Sequence, residues 1–303
     1  MKILVTGATG FVGQVVVRQL LAQNHEVVVL TRNITKAVLI LGSKCQFFQW
    51  SDTNELPPLE AFNGVDGIIN LMGENIGAKK WSPEQKKVIY NSRVDATARI
   101  VERINTLNPK PQVLVSASAI GIYGVRGNEE IVESSELGQD FLSNVCKDWE
   151  GEAFKAQKLG VRTVVLRTGI VLGRGGGALH KMLPVFKGYM GGVMGDGTQY
   201  MSWIHVEDLA SMYVEAVTNT QLQGVLNATA PYPATNAEFT RSLGKVLKRP
   251  TFVKVPTFVL KKVLGEMSTL VLDGQKVIPA KIKTERFRYR YPTLEMALKE
   301  TAY

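Results

Sequence analysis

Three glycines in the run Gly7-Ala8-Thr9-Gly10-Phe11-Val12-Gly13 have the spacing that most directly implies chemistry. A dinucleotide-binding turn needs one glycine for a tight turn, a second that lets backbone N–H groups approach a pyrophosphate, and a third that lets a helix pack closely on a strand. These roles fall to Gly7, Gly10 and Gly13, with Thr9, Phe11 and Val12 grouped with them as cofactor-binding positions. Nineteen positions after Gly13, Thr31-Arg32 stands where an acidic residue would hold the ribose 2′-hydroxyl of NAD. A carboxylate there would repel a 2′-phosphate, whereas a guanidinium binds it bidentately and lies across the adenine face. NADP(H) is therefore the expected cofactor, and Thr31 and Arg32 are expected contacts.

Other residues carry weaker signals. Asn70-Leu71-Met72-Gly73 ends an apolar run at the edge where backbone comes near a cofactor ribose and nicotinamide. His205, followed by Asp208 at a helix start, is a candidate general acid, although capping is the commoner use of such a residue. Arg167 faces either an anionic substrate or a strand-end ion-pair partner. Cys146 is either a proton donor or an inert buried thiol. No metal site is expected, because the two cysteines, Cys45 and Cys146, lie 101 positions apart.

These residues need a scaffold, and the chain supplies an α/β pattern of strand-length apolar runs alternating with amphipathic helical stretches. Strands are expected at Lys2 to Thr6, Glu26 to Thr31, Cys45 to Trp50, Val65 to Met72, Val113 to Ser118 and Val161 to Thr168. Helices are expected from Phe11 to Gln23, from Ser82 to about Thr106, and from Asp140 to Leu159 with a stop at Gly160. Ser82 is the N-cap of the second, with Pro83 at its first position and Gln85 completing a capping box. Beyond Thr168 the alternation is lost and glycine and proline accumulate, with a candidate lid at Gly188 to Gly197. The expected fold is a doubly wound parallel Rossmann sheet with a smaller, partly interleaved carboxy-terminal domain. Residues 1–168 and 201–228 form the NADP-binding part, and 169–200 and 229–303 the substrate-side part.

Composition sets bounds. With 303 residues, 45% hydrophobic and 21% charged, the chain is of ordinary globular type. Two cysteines fit a reducing compartment rather than a disulfide scaffold, so the cytoplasm is the expected location. The apolar runs fall far short of the roughly 18 residues of a membrane helix, and the amino-terminal run ends too soon for a signal peptide. The net charge of +9 is concentrated in residues 241–290, where thirteen Lys/Arg face Glu266, Asp273 and Glu285. A solvated basic surface is the ordinary reading of such a segment; nucleic acid is not the expected partner, and a small, anionic substrate is.

Several motifs together resemble the extended short-chain dehydrogenase/reductases: the glycine spacing, the Asn-Leu-Met-Gly end, Ser116-Ala117-Ser118-Ala119 followed by Tyr123-Gly124, and Trp203-Ile204-His205-Val206-Glu207-Asp208. More narrowly, Asn70 to Ile76, Ser92-Arg93, Trp149-Glu150, Arg167 to Gly173 and Pro279 to Leu298 resemble the atypical "epimerase family" of NADP-binding proteins across essentially the whole chain. The resemblance implies a Rossmann core, NADP, and contacts at Thr31, Arg32, Leu71, Met72, Arg93 and Val171. It implies no settled reaction, since members carry sugar-nucleotide epimerase labels by similarity. Thr284-Glu285-Arg286-Phe287 departs from the Gly-Phe pair usual there.

Standard enzymes of the larger superfamily use Tyr-x-x-x-Lys, in which lysine and cofactor lower the tyrosine pKa for proton transfer. No tyrosine of this chain has a lysine four residues on. Cys146 stands at the tyrosine position and Glu150 at the lysine position, reversing the charge. Ser118 occupies roughly the place of the catalytic serine. Two functions follow: an NADP-dependent oxidoreductase or epimerase using Ser118, Cys146 and His205, or a non-catalytic NADP(H)-binding regulator or sensor.

Overall fold

A computed structural model describes residues 1–284 and 287–302, so the Glu285-Arg286 pair of the departure noted above lies outside the described residues. Seven strands form one parallel sheet: β1 (Lys2–Thr6), β2 (Glu26–Thr31), β3 (Gln46–Gln49), β4 (Gly67–Asn70), β5 (Val113–Ala119), β6 (Arg162–Thr168) and β7 (Gly224–Ala228). Their order is β7-β6-β5-β4-β1-β2-β3. The chain winds outward from β1 to β3, then crosses back to β4 and winds the other way. Ligands of such sheets lie where the winding reverses, outside the carboxyl ends of the strands. Here that point lies between β1 and β4, which pair Thr6 with Asn70.

Both faces of the sheet are buried, which is why its strands read as continuous apolar runs. Ile3, Val5, Val115 and Leu166 face one core with helices α1 (Phe11–Ala22) and a later helix, Val206–Thr218. Leu4, Ile68, Leu114 and Val165 face the other, with Ile100, Ile104 and Ala153. Truncating Leu20 or Ile100, both fully buried, to alanine would cost about 2–5 kcal/mol.

Several features differ from the sequence reading, among them the seventh strand, β7, which lies beyond the six expected. A short helix, α2 (Ile34–Leu41), follows β2, capped by the Asn33 side chain accepting from Lys36 N at 2.8 Å. The single helix expected from Ser82 is two, α3 (Pro83–Asn91) and α4 (Val94–Asn105). They break at Ser92-Arg93, where the Ser92 hydroxyl donates to Ile89 O and accepts from Glu74 N. Ser82 does cap α3, accepting from Gln85 N, but its own backbone N–H donates to Lys80 O at 3.0 Å instead of to the Gln85 side chain, so the reciprocal half of a capping box is missing. Helix α5 (Phe141–Phe154) starts at its Asp140 cap and continues as a 3-10 turn to Leu159, ended by left-handed Gly160.

A third core gathers Leu172, Leu179, Phe186, Trp203, Phe239, Leu243 and Leu298. The segment from residue 201, expected to return wholly to the sheet, divides. Met201 and Trp203 pack into this third core, while Val206–Thr218 and β7 join the sheet. No helix among the described residues is long and apolar enough to cross a membrane.

Candidate functional site

The turn after β1 separates the three glycines by function. Gly7 has φ +66°, and a Cβ on it would lie 2.6 Å from the Leu71 carbonyl oxygen, so it is needed where β1 and β4 diverge. A Cβ on Gly13 would lie 2.3 Å from Gly7 O, which makes Gly13 the helix-packing glycine. Gly10 caps α1 through backbone alone: no side chain bonds the first amides, and no acidic residue sits in the first turn. A Cβ there would meet only Gly7 O, at 3.1 Å, and otherwise open space. Helix amides without partners or a competing carboxylate make a site for an anion. Phe11 closes one side, because Gly173, Gly176 and Gly177 pack on its ring; a Cβ on Gly176 would lie 2.4 Å from it.

At the end of β2 the Thr31 hydroxyl is within 3.3 Å of the Asn33 backbone. Arg32 is exposed, and no hydrogen bond or ion pair holds its guanidinium among the described residues. Asn70 is fully buried and already partnered: its Oδ1 accepts from Thr6 Oγ1 at 2.7 Å, and its amide donates to Thr97 Oγ1 at 2.8 Å. Its part in any cofactor contact is therefore to fix the strand end that carries the Leu71 and Met72 backbone. Arg93, at the α3–α4 break, donates to Glu74 O at 2.8 Å and Ile89 O at 3.1 Å, and stacks 5.4 Å over Trp149. It packs so closely on Gly73 that a Cβ there would lie 3.0 Å from the guanidinium carbon. Val171 lies half-buried in the strand Ile170–Leu172, which pairs with Trp203–His205.

Two of the expected catalytic side chains, Ser118 of β5 and Cys146 of α5, come together beside Glu150. Ser118, at the end of β5, donates to Glu150 Oε1 at 2.6 Å. Glu150 forms a bidentate pair with Arg167 of β6, with Nε and Nη2 each 2.8 Å from a carboxylate oxygen. Arg167 also donates to the Tyr123 hydroxyl at 2.9 Å, and Tyr123 donates to Asn227 Oδ1 at 2.6 Å. The side chains of Arg167 and Glu150 are only 6% and 7% exposed. Burial works to lower the Arg167 pKa, but Glu150 more than offsets it and leaves it raised. The reversed charge at position 150 is thus neutralised within the protein. Of the two readings of Arg167, the structure supplies the ion pair.

Cys146 is buried one helical turn before Glu150. Its thiol is pushed up to about 12 by burial and by the Glu150 charge, so it stays protonated and parts with its proton reluctantly. His205 is buried with both ring nitrogens engaged: Nδ1 accepts from Glu207 N at 3.2 Å, and Nε2 lies 2.9 Å from Glu300. Its ring stacks on Tyr291 at 3.9 Å. The proton-donor role expected of His205 finds no free nitrogen, and the side chain works as the cap of Val206–Thr218.

Tyr123, legible only as part of a family motif, belongs to the buried network with Asn227 and Glu133, which carried no signal in the sequence. Glu133 Oε1 accepts from the backbone amides of Asn227 and Lys281, tying β7 to the carboxy-terminal segment. Glu150 and Arg167 were each legible as unusual, but their pairing needs the parallel contact of β5 and β6, which sets Ser118 beside Arg167.

Comparison with known proteins agrees with this arrangement. The family model described as NAD-dependent epimerase/dehydratase family matches residues 3–228, and a domain of unknown function (DUF1731) matches residues 255–301. The chain is 44% identical to the chloroplastic epimerase family protein SDR39U1 homolog of Arabidopsis thaliana over 99% of its length and 86% of that protein. It is 38% identical to the epimerase family protein YfhF of Bacillus subtilis, over 99% and 97% of the two chains. The crystal structure of human epimerase family protein SDR39U1 (isoform 2) with NADPH superposes with a TM-score of 0.89 at 34% identity, covering 100% and 99% of the chains. UDP-glucuronic acid 4-epimerase from Bacillus cereus shares the fold, with a TM-score of 0.81 at 19% identity, covering 100% and 98% of the chains. The doubly wound sheet, the open glycine turn at its switch point and relatives matching from end to end place the chain in one group: it belongs to the NAD-dependent epimerase/dehydratase family.

Proposed function

We propose that this chain binds NADP(H) at the carboxyl edge of the sheet and uses it on a small anionic substrate, with sugar nucleotides the first class to test. The observation that carries the reading is the pair of features that follow the adjacent strands β1 and β2: the start of α1, which no side chain caps, and an exposed Arg32 with no partner among the described residues. The α1 amides and Gly10 would take the pyrophosphate, Arg32 and Thr31 the 2′-phosphate, and the Leu71–Gly73 backbone the nicotinamide side, with Arg93 and Val171 bounding it. The NADPH in the human relative supports the same cofactor. The division of labour proposed is 1–168 with most of 201–228 for the cofactor, and 169–200 with 229–303 for the substrate.

A nicotinamide cofactor supplies reversible two-electron exchange with a carbon centre. The residues of this chain supply orientation more than proton transfer. Ser118, at the carboxyl end of β5, would hold a substrate carbonyl, while Cys146, protonated and buried, and His205, committed to its cap, leave the proton to water or to the substrate. This shortage of an ionisable acid is the specific observation favouring the second reading, an NADP(H)-binding sensor without turnover.

The test is equilibrium titration with NADPH and NADH, followed by sugar nucleotides and small carbonyls with NADPH oxidation monitored over hours. Selective NADPH binding with slow turnover that falls in Ser118→Ala supports the enzyme. Tight binding with no turnover on any substrate supports the sensor, and equal affinity for both cofactors refutes the Arg32 assignment.

A further inference from the structure

Two stretches of the chain contain no acidic residue: 153–195, between Glu152 and Asp196, and 239–265, between Glu238 and Glu266. The fold brings their ends together. Gly192–Met194 pairs in parallel with Val253–Val255, which places Phe252 beside Gly191 and joins the two turns that precede these strands. Arg249 fastens the turns by donating to Lys187 O at 3.4 Å and lying 4.5 Å over the Tyr189 ring. The result is an exposed apolar tip. Tyr189 is 56% exposed, Met190 63% and Phe252 81%. Tyr189 is held at φ +64°, a left-handed backbone unusual for a bulky residue, so the tip is a shaped turn.

The surroundings are basic. Lys187, Lys248 and Lys254 are exposed around the tip, and the adjoining helix Thr257–Leu264 has no buried residue and carries Lys261 and Lys262 in its last turn. The first acid after this stretch, Glu266, is already paired with Lys86 at 2.7 Å. Lys261 faces Asp273, but Lys187, Lys248 and Lys254 have no acidic partner among the described residues. An exposed tip of aromatic and methionine side chains with these three lysines around it matches a layer whose outer part is anionic and inner part apolar. A single-stranded nucleic acid would instead call for a groove with stacking platforms, and a duplex would use the lysines but draw nothing from the exposed apolar side chains.

We infer that this face docks on an anionic lipid surface, with Tyr189, Met190 and Phe252 entering the headgroup layer and the lysines facing lipid phosphates. The experiment is co-sedimentation of the full chain with vesicles of phosphatidylcholine alone and of phosphatidylcholine mixed with phosphatidylglycerol. Binding to the mixed vesicles should exceed that to the neutral ones by about tenfold or more and weaken with salt. Met190→Ser with Phe252→Ser should lower it about tenfold, and Lys187→Glu with Lys254→Glu by about twentyfold or more, each with an unchanged thermal unfolding midpoint. Absence of binding by the unmodified chain to mixed vesicles at low salt overturns the inference, as does binding indifferent to the apolar pair. Binding to a duplex oligonucleotide that matches vesicle binding and ignores Met190→Ser with Phe252→Ser overturns it in favour of nucleic acid.

Discussion

The pairing of Glu150 with Arg167 can be tested through stability. Glu150→Gln leaves a guanidinium in a site where the two side chains are only 6% and 7% exposed. Removing one partner of a buried ion pair costs about 3–5 kcal/mol, because the remaining charge is neither paired nor hydrated. The amide introduced by Glu150→Gln keeps one acceptor for Arg167 or Ser118, so the expected loss lies near the lower end, about 3 kcal/mol. Arg167→Met should cost a similar amount, since Glu150 would keep only the 2.6 Å contact from Ser118. Glu150→Lys, which restores the charge of the standard enzymes, should be worse than either by placing an ammonium against Arg167. The double variant Glu150→Gln with Arg167→Met removes both charges, so its cost should fall short of the sum of the singles by about 2 kcal/mol or more. Urea unfolding followed by far-ultraviolet circular dichroism and by tryptophan fluorescence measures all four, provided the slopes agree. Single variants costing less than about 1 kcal/mol each, or an additive double variant, would falsify the view that the reversed charge is a buried structural pair.

Three further outcomes are expected. Arg32→Ala should weaken NADPH binding by about 1.5–3 kcal/mol, roughly ten- to hundredfold, and leave NADH little changed in a fluorescence titration. Gly10→Val should abolish binding at a small cost to the fold, because its Cβ would meet only Gly7 O, at 3.1 Å; Gly13→Ala should lower the unfolding midpoint more, because its Cβ would lie 2.3 Å from the same oxygen. The pH response of Cys146 has a defined sign: the buried thiol is pushed up from 9.0 to about 12, so between those values unfolding releases a proton and stability falls as pH rises. Relative to Cys146→Ser, the native protein should lose up to about 1.4 kcal/mol per pH unit in that window, measured by urea midpoints.

The sheet was legible because its physics is local. A strand buried on both faces reads as a short apolar run, and Gly7-x-x-Gly10-x-x-Gly13 marks the first crossover. What escaped was decided by tertiary contact. The break at Ser92-Arg93 has no proline or glycine to announce it, since it arises from the Ser92 and Arg93 side chains bonding Glu74 and Ile89 backbone. Helix α2 escaped because Val38, Leu39 and Ile40 remain exposed, giving no clean amphipathic period. His205 illustrates the ambiguity of residue type: a histidine before a helix reads equally as acid or cap, and only the Glu300 contact, 95 residues away, decides between them.

The electrostatics of the site bear on which reaction it can support. In the standard arrangement a lysine keeps a tyrosine ready to ionise, so charge at the two helix positions is mobile and serves proton transfer. Here the corresponding charge is immobile. Glu150 is held by Arg167, its oxygen accepts a hydrogen bond from the Ser118 hydroxyl at 2.6 Å, and its charge helps keep the neighbouring Cys146 thiol neutral. For Ser118 to serve a substrate it must turn from a charged acceptor, giving up a bond worth about 1.5–3 kcal/mol unless the substrate restores it. A generic carbonyl offers only an acceptor and would repay part of that cost. A substrate with its own hydroxyl beside the reacting carbon can donate to Glu150 while Ser118 turns, keeping every buried polar group satisfied. Polyhydroxylated substrates, sugars among them, therefore fit this constellation better than simple ketones, for a reason that lies in the reversed charge itself.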